Sequence, residues 1–84
     1  MNIVIHPKVL EQRPWLSVED ISHAVLYPLA MRARSLMPHV VAGIGFDLAV
    51  REIEWLADVD GDDWLIYHAM DNPSVKFRIE VGLL

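Results

Sequence analysis

The sequence predicts an α+β domain in which two short helices precede an antiparallel sheet of three to five strands. Apolar residues recur at helical spacing only before residue 28, whereas apolar and polar residues alternate along much of the chain after it. A length of 84 residues suffices for a single domain over 1–84 with a modest core. Because 54% of the residues are hydrophobic, we also expect some apolar surface to remain for a partner chain.

Two helices are indicated near the N-terminus by their start and stop signals. Pro7 suits the first turn of a helix over about residues 7–13, and Pro14 ends it because proline disfavours helical backbone in the residue before it. Ser17 is a capping residue followed by acidic side chains, which favours a second helix that ends just before Pro28.

Strand patterns occur on both sides of these helices. Residues 2–5 are β-branched in part and indicate either a strand or an ordered lead-in. Residues 29–36 alternate, and residues 39–46 suit a more buried strand. The glycines of that strand, Gly43 and Gly45, predict a close backbone approach or a bulge.

A β-hairpin over about residues 51–69 is indicated by the turn signal Asp60-Gly61 between two strand-like segments. The first of these segments has an apolar face and an acidic face. The apolar face comprises Ile53, Trp55, Ala57 and Val59, and the acidic face comprises Glu52, Glu54 and Asp58. Trp55 is therefore expected in the core, whereas Trp15, beside Pro14, is expected to be exposed.

The C-terminal segment 73–81 carries signals for both a helix and a strand. Pro73 and Ser74 can start a helix, and Gly82 can end one. However, Val75, Phe77, Ile79 and Val81 alternate strictly with Lys76, Arg78 and Glu80. This alternation favours a strand.

Composition narrows the class of protein. The absence of cysteine excludes disulfides and cysteine–zinc sites. The N-terminus lacks the pattern of a signal peptide, and no apolar stretch approaches the roughly 18 residues of a membrane span, so we expect a cytoplasmic protein that does not enter a membrane. The acidic segment 58–63 departs from the spacing of a calcium-binding loop and is expected to form a charged turn, and no metal or other cofactor is predicted.

The net charge of −5 is unusual for a nucleic-acid-binding protein, because neutralisation of phosphates dominates that kind of affinity. Residues 1–50 carry four basic and four acidic side chains, whereas residues 51–84 carry three basic and eight acidic ones. A local basic patch is compatible with this distribution, but a field that attracts nucleic acid over the whole surface is not. We therefore expect no binding to DNA by the chain alone.

Three groups of residues resemble a family of small bacterial toxins. They are Asp20-Ile21-Ser22-His23-Ala24 followed by a proline, Gly45-Phe46-Asp47 before a strand that carries Glu54, and Ile66-Tyr67-His68-Ala69-Met70 followed by Lys76-Phe77. In this order they resemble the BrnT-like toxins and, more distantly, the RelE superfamily, over roughly residues 7–80. The resemblance implies helices first and an antiparallel sheet after them, often with a final helix. It also implies a ribonuclease that is neutralised by a cognate antitoxin protein.

Metal-independent cleavage of RNA requires a base for the 2′-hydroxyl, an acid for the leaving oxygen and a cation for the phosphorane charge. His68 is the main catalytic candidate because it ends a buried strand and matches the position that the resemblance implies; the alternative is a histidine bonded to backbone. Lys76 is the second catalytic candidate, and Arg78 and Arg51 are candidates for binding RNA. The chain departs from the family pattern because no arginine precedes Lys76 and the hairpin is acidic, which predicts weak or absent cleavage.

Two other functions fit the same sequence. One is a non-catalytic binding module that forms a homo- or hetero-oligomer, either a dimer of this chain or a complex with another protein, which the apolar composition favours. The other is a domain that binds a small ligand or a metal. The four histidines are too widely scattered to form a recognisable metal motif.

Overall fold

The computed structural model describes all residues from Met1 to Leu84. It contains five strands and three helices, and the predicted α+β class is confirmed. In chain order the elements are β1 (Asn2–Ile5), α1 (Pro7–Gln12), α2 (Val18–Leu26), β2 (Pro28–Arg34), β3 (Met37–Phe46), β4 (Glu52–Asp60), β5 (Asp63–Asp71) and α3 (Val75–Val81). No helix is both long enough and apolar enough to cross a bilayer.

The five strands form one mixed sheet in the order β1-β5-β4-β3-β2. The prediction of a wholly antiparallel sheet is wrong at one edge, where β1 runs parallel to β5 from Asn2 opposite Asp63 to Ile5 opposite Ile66. Local patterns do not reveal this pairing because the two strands are separated in the chain by two helices and three strands. The remaining neighbours are antiparallel, as expected.

Both predicted N-terminal helices are present. Pro7 occupies the first turn of α1, and the side chain of His6 caps the helix by accepting the N–H of Lys8 at 3.1 Å. Helix α2 begins with a capping box in which Ser17 and Asp20 each satisfy the other's backbone N–H. These caps supply partners for N–H groups that the first turn of a helix leaves free.

The C-terminal segment is a helix, so of the two possibilities that the sequence left open over 73–81, the strand favoured by the alternation is not the one formed. Ser74 caps α3 by accepting the N–H of Phe77 at 3.1 Å, and Gly82 ends it in the left-handed conformation with φ +86°. Of the four alternating apolar residues, only Phe77 and Val81, which are four apart, are buried. The caps and this helical pair outweigh the alternation.

The sheet separates two apolar clusters. Helices α1 and α2 cover one side, which we call the helix-pair face, and α3 covers part of the other, which we call the α3 face. The larger cluster lies on the helix-pair face and contains Val9, Leu16, Ile21, Ala24, Val25, Ile53, Trp55, Ala57, Ile66 and Ala69. The smaller cluster lies on the α3 face and contains Ala42, Ile44, Phe77 and Val81.

The two glycines of β3 permit the close contact that the sequence indicated. A Cβ atom at Gly45 would lie 2.0 Å from the carbonyl oxygen of Ala24, and one at Gly43 would lie 2.2 Å from the indole of Trp55. Trp55 is fully buried as predicted, and its indole N–H donates to the carbonyl of Ala24 at 3.2 Å. Glycine in β3 thus allows α2 and Trp55 to pack directly on the sheet.

The predicted hairpin corresponds to β4 and β5, which a two-residue turn joins at Asp60 and Asp63. Gly61 has φ +58° in this turn, a conformation that glycine adopts without steric cost. The apolar residues of β4 face the helix-pair core as predicted. Its acidic residues face the opposite side, where Glu52 and Glu54 meet partners on β5 and α3.

Candidate functional site

A bulge in β5 determines which side of the sheet His68 faces. From the turn to Ala57 and Ile66 the two strands pair residue for residue, but Leu56 then pairs with His68 rather than with Tyr67. The unshifted register would pair His68 with Trp55 and direct it into the helix-pair core, because a slip of one residue reverses the face of a side chain. The extra residue moves His68 onto the α3 face beside Leu56.

On the α3 face His68 forms a pair with a buried carboxylate. The Nε2 atom of His68 lies 2.8 Å from Oε2 of Glu54, whose residue is only 4% exposed. The other carboxylate oxygen, Oε1, accepts the backbone N–H of Ser74 at 3.2 Å. Glu54 therefore connects the hairpin to the first turn of α3 and fixes the orientation of the imidazole ring.

This geometry leaves one nitrogen of His68 available for chemistry. An ionised carboxylate only accepts hydrogen bonds, so Nε2 of His68 carries the hydrogen that it donates to Glu54. In the neutral ring, Nδ1 then holds a lone pair and can accept a proton. The side chain of His68 is 32% exposed, so a ligand on the α3 face can reach the ring.

Lys76 lies in the first turn of α3, directly before a residue that packs near the histidine. The ring of Phe77 lies 6.5 Å from that of His68, measured between centroids. Lys76 itself is exposed and takes part in none of the ion pairs of the chain. The structure thus brings Phe77, the neighbour of Lys76 in the chain, close to His68, and it leaves the ammonium group of Lys76 without an ion pair.

Arg78, predicted to bind RNA, is compensated by an acid. Its guanidinium forms an ion pair with Glu52 across the boundary between α3 and β4. This hydrogen bond lowers the pKa of Glu52 and raises the pKa of Arg78, although desolvation opposes both shifts. Arg78 therefore holds α3 on the sheet and offers less charge to an anionic ligand than its position suggests.

A second ion pair holds the other end of α3. Arg34 of β2 binds Glu80 with two hydrogen bonds, at 2.7 Å from Nε and 3.1 Å from Nη2. The pKa of Arg34 is raised chiefly by its hydrogen bond to Glu80, against desolvation, and Coulomb attraction from Glu80 contributes as well.

Arg51, the other predicted RNA-binding residue, lies apart from His68. It directly precedes β4 and lies five residues before Leu56, the partner of His68, which corresponds to about 16 Å along the chain. Its Nε donates to Asp47 at 2.6 Å, and its Nη2 approaches Asp20 at 3.8 Å. The hydrogen bond to Asp47 raises the pKa of Arg51 against the effect of desolvation, so the turn before β4 holds this cation in place.

The remaining histidines have other surroundings. Nδ1 of His23 lies 2.7 Å from the carbonyl oxygen of Phe46, which ties α2 to the end of β3. His6 caps α1, and His39 is exposed on β3. No three histidine or acidic residues lie close enough together to hold a metal ion.

The sequence alone identified neither Glu54 as the partner of His68 nor the bulge at Tyr67 beside it. Glu54 was placed on the acidic face, but its contact with His68 depends on the bulge at Tyr67, which no turn signal marks. Counting the register from the Asp60-Gly61 turn alone would have given the wrong pairs beyond Ala57. With an unshifted register, His68 would enter the core beside Trp55. That unfavourable burial of a histidine was the one sign of a register shift in the sequence.

Comparison with known proteins returned no match of any kind. No protein-family model matches the chain, and neither a curated protein nor a solved structure is significantly similar to it.

Proposed function

We propose that this chain is a metal-independent endoribonuclease of the toxin-like kind, in which His68 exchanges protons with the substrate. The observation that supports this function best is the Glu54–His68 pair, in which a buried carboxylate orients a half-exposed imidazole with Nδ1 free. A base oriented by a carboxylate is a recurrent arrangement in proton-transfer catalysis. The resemblance of the sequence to BrnT-like and RelE-superfamily toxins points to RNA as the substrate.

The proposed reaction uses groups that the α3 face carries. Nδ1 of His68 accepts the proton of the 2′-hydroxyl, whose oxygen attacks the adjacent phosphorus, and Glu54 stabilises the imidazolium that forms. Lys76 balances the charge of the phosphorane. The P–O5′ bond then breaks, and O5′ receives a proton from the imidazolium of His68. The products are a 2′,3′-cyclic phosphate and a free 5′-hydroxyl.

The charges of the face also predict how strongly RNA binds. Arg78 and Arg51 are compensated by Glu52 and Asp47, which leaves Lys76 and Arg32 as cations near α3 without an ion pair. Since each phosphate neutralised by a cation steepens the salt dependence, the affinity for RNA should be low and only weakly dependent on salt. A partner such as the ribosome would then have to contribute to substrate recruitment.

Growth of bacteria under tight induction of this chain tests the proposal. The parent chain and His39→Ala, a control at an exposed histidine outside the face of interest, should arrest growth, whereas His68→Ala at matched expression should not. Co-expression of a cognate antitoxin protein should relieve the arrest. Normal growth with well-expressed, folded parent protein would contradict the proposal.

A second candidate function, a non-catalytic oligomeric binding module, is favoured by the edge strand β2. This strand has one side of its backbone unpaired, and its apolar side chains Leu29 and Met31 are close to half exposed. An exposed apolar edge is a template for strand pairing, and a second copy of β2 could pair with it antiparallel about Met31. Leu29 would then face Ala33 of the second copy.

The mass of the chain in solution distinguishes this alternative. A dimer through β2 should be lost in Met31→Lys and kept in Val75→Lys, which changes an exposed apolar residue elsewhere. Light scattering coupled to size-exclusion chromatography measures both. A monomeric parent chain would exclude the homodimer. A dimer unaffected by Met31→Lys would place the interface on another surface.

A further inference from the structure

The bulge that reorients His68 also fixes the side chain of Tyr67. In such a bulge two consecutive residues of one strand oppose a single residue of the other, here Tyr67 and His68 opposite Leu56. Ile66, the residue before them, faces the helix-pair core, and the ring of His68 lies near Phe77 on the α3 face. Tyr67 and His68 therefore point to the same side of the sheet.

The Arg34–Glu80 ion pair lies on this same side. Arg34 is bound to Glu80 of α3, so its guanidinium lies on the α3 face. Tyr67 is 39% exposed. An aromatic ring is thus accessible on the residue that directly precedes His68 in β5.

The remaining tryptophan and tyrosine side chains contact other parts of the chain, although Trp15 and Tyr27 are exposed as well. Trp55 is buried, Trp64 packs against the helix-pair core, Trp15 donates to Asp71, and Tyr27 lies against His23. Beyond Arg34, an open groove of about 590 Å³ continues between the β2–β3 turn and Glu80. Residues 32–37 line this groove. The α3 face therefore carries His68, Tyr67 and a groove beside the Arg34–Glu80 ion pair.

We propose that Tyr67 is a stacking platform for a nucleobase, and that the ligand of the α3 face is single-stranded RNA. This inference rests on the proposed function for the role of His68, but the stacking contact itself requires no cleavage. A base stacked on Tyr67 brings its nucleotide next to His68, and the following nucleotide extends into the groove. A duplex keeps its bases stacked on one another, so it cannot use this platform. Stacking tolerates every base, so sequence preference at this position is weak.

A fluorescent oligonucleotide tests this contact separately from catalysis. The probe is a single-stranded 2′-O-methyl RNA of eight nucleotides with 2-aminopurine at its centre, which cannot be cleaved by attack of the 2′-oxygen. The parent chain should bind it and quench its fluorescence. Tyr67→Ala should weaken binding about tenfold and lose the quenching, because stacking on an aromatic side chain contributes that much per base. Tyr67→Phe keeps the ring and should bind as the parent does.

Tyr27→Ala, at another exposed tyrosine, is the matched control and should leave binding unchanged. Equal binding by the parent and by Tyr67→Ala would overturn the inference, as would equal binding of a duplex of the same sequence or no binding by the parent. Cleavage of natural RNA that depends on His68, together with unchanged binding by Tyr67→Ala, would overturn the stacking contact alone. Tyr67-dependent binding without any cleavage would overturn the proposed function alone.

Discussion

The two faces of the sheet are stabilised in different ways. The helix-pair face is closed by an extensive apolar cluster around Trp55, to which hydrogen bonds of Trp55 and His23 add. The α3 face has a cluster of only four buried residues, and α3 is held there by Glu52 and Glu54, which bind Arg78 and the capping residue Ser74, and by its own Glu80, which binds Arg34. Apolar burial stabilises without regard to direction, whereas hydrogen bonds fix orientation. We infer that the first face supplies most of the stability and the second holds side chains for function.

The largest expected loss in the free energy of unfolding follows from a substitution on the helix-pair face. Trp55→Ala removes a fully buried ring and the hydrogen bond to Ala24, and should lower the free energy of unfolding by about 3 to 5 kcal/mol. Trp15→Ala, at a half-exposed tryptophan, should cost less than about 1 kcal/mol. Urea denaturation measures both variants. Similar losses for the two would contradict the assignment of the main core.

A smaller loss is expected on the α3 face. Phe77→Ala removes the main apolar anchor of a short helix and should cost about 2 to 3 kcal/mol, below the loss at Trp55. Amide exchange should increase first in α3 and leave the β4–β5 hairpin protected, because α3 is a peripheral unit. Ile79→Ala, at an exposed position of the same helix, should have little effect on either measurement. Global loss of protection in Phe77→Ala would show that the two faces are not independent.

A stabilising change is expected in the turn before β4. Val50 has φ +62°, a left-handed conformation that is costly for a β-branched residue, and it is exposed. Val50→Gly should therefore raise the free energy of unfolding by about 1 kcal/mol. Leu48→Gly, two residues earlier without a positive φ, should not stabilise. A loss of stability in Val50→Gly would mean that the conformation carries no strain.

The smallest expected effect is on the free energy of unfolding at acidic pH. The hydrogen bond from Arg78 lowers the pKa of Glu52, so this pair stabilises the fold above the pKa of about 4.3 that glutamate has in the unfolded chain. The contribution is lost as the pH falls through the lower folded pKa. Glu52→Gln should therefore make the free energy of unfolding less dependent on pH in this window than in the parent, with Glu11→Gln as an exposed control. Identical pH profiles would exclude a stabilising role for the pair.

Local signals predicted much of this fold because they act within a few residues. The capping box at Ser17, the turn at Gly61 and the alternation of β4 all depend on neighbours in the chain. The parallel pairing of β1 depends on contacts that are distant in the chain. The helical C-terminal segment depends on signals that compete with a strand pattern. In the tail, strict alternation indicated a strand, but burial of Phe77 with Val81 and the caps at both ends outweighed it.

The candidate site was only partly predictable for the same reason. His68 and Lys76 were identified as chemical groups, but their surroundings depend on a register shift that moves His68 to the opposite face. The compensation of Arg78 by Glu52 and of Arg51 by Asp47 is likewise a property of packing. Residue types thus indicated which chemistry is available, and only the geometry showed which charges remain free.

Analysis of the RNA ends produced by the purified chain tests the central claim most directly. The parent chain and His39→Ala should cleave single-stranded RNA, alone or during translation on ribosomes, to give 2′,3′-cyclic phosphate and 5′-hydroxyl ends. His68→Ala should be slower by at least about a hundredfold, since loss of a general acid–base group typically costs that much. Absence of cleavage by the folded parent chain, or an equal rate in His68→Ala, would contradict a catalytic role for the Glu54–His68 pair.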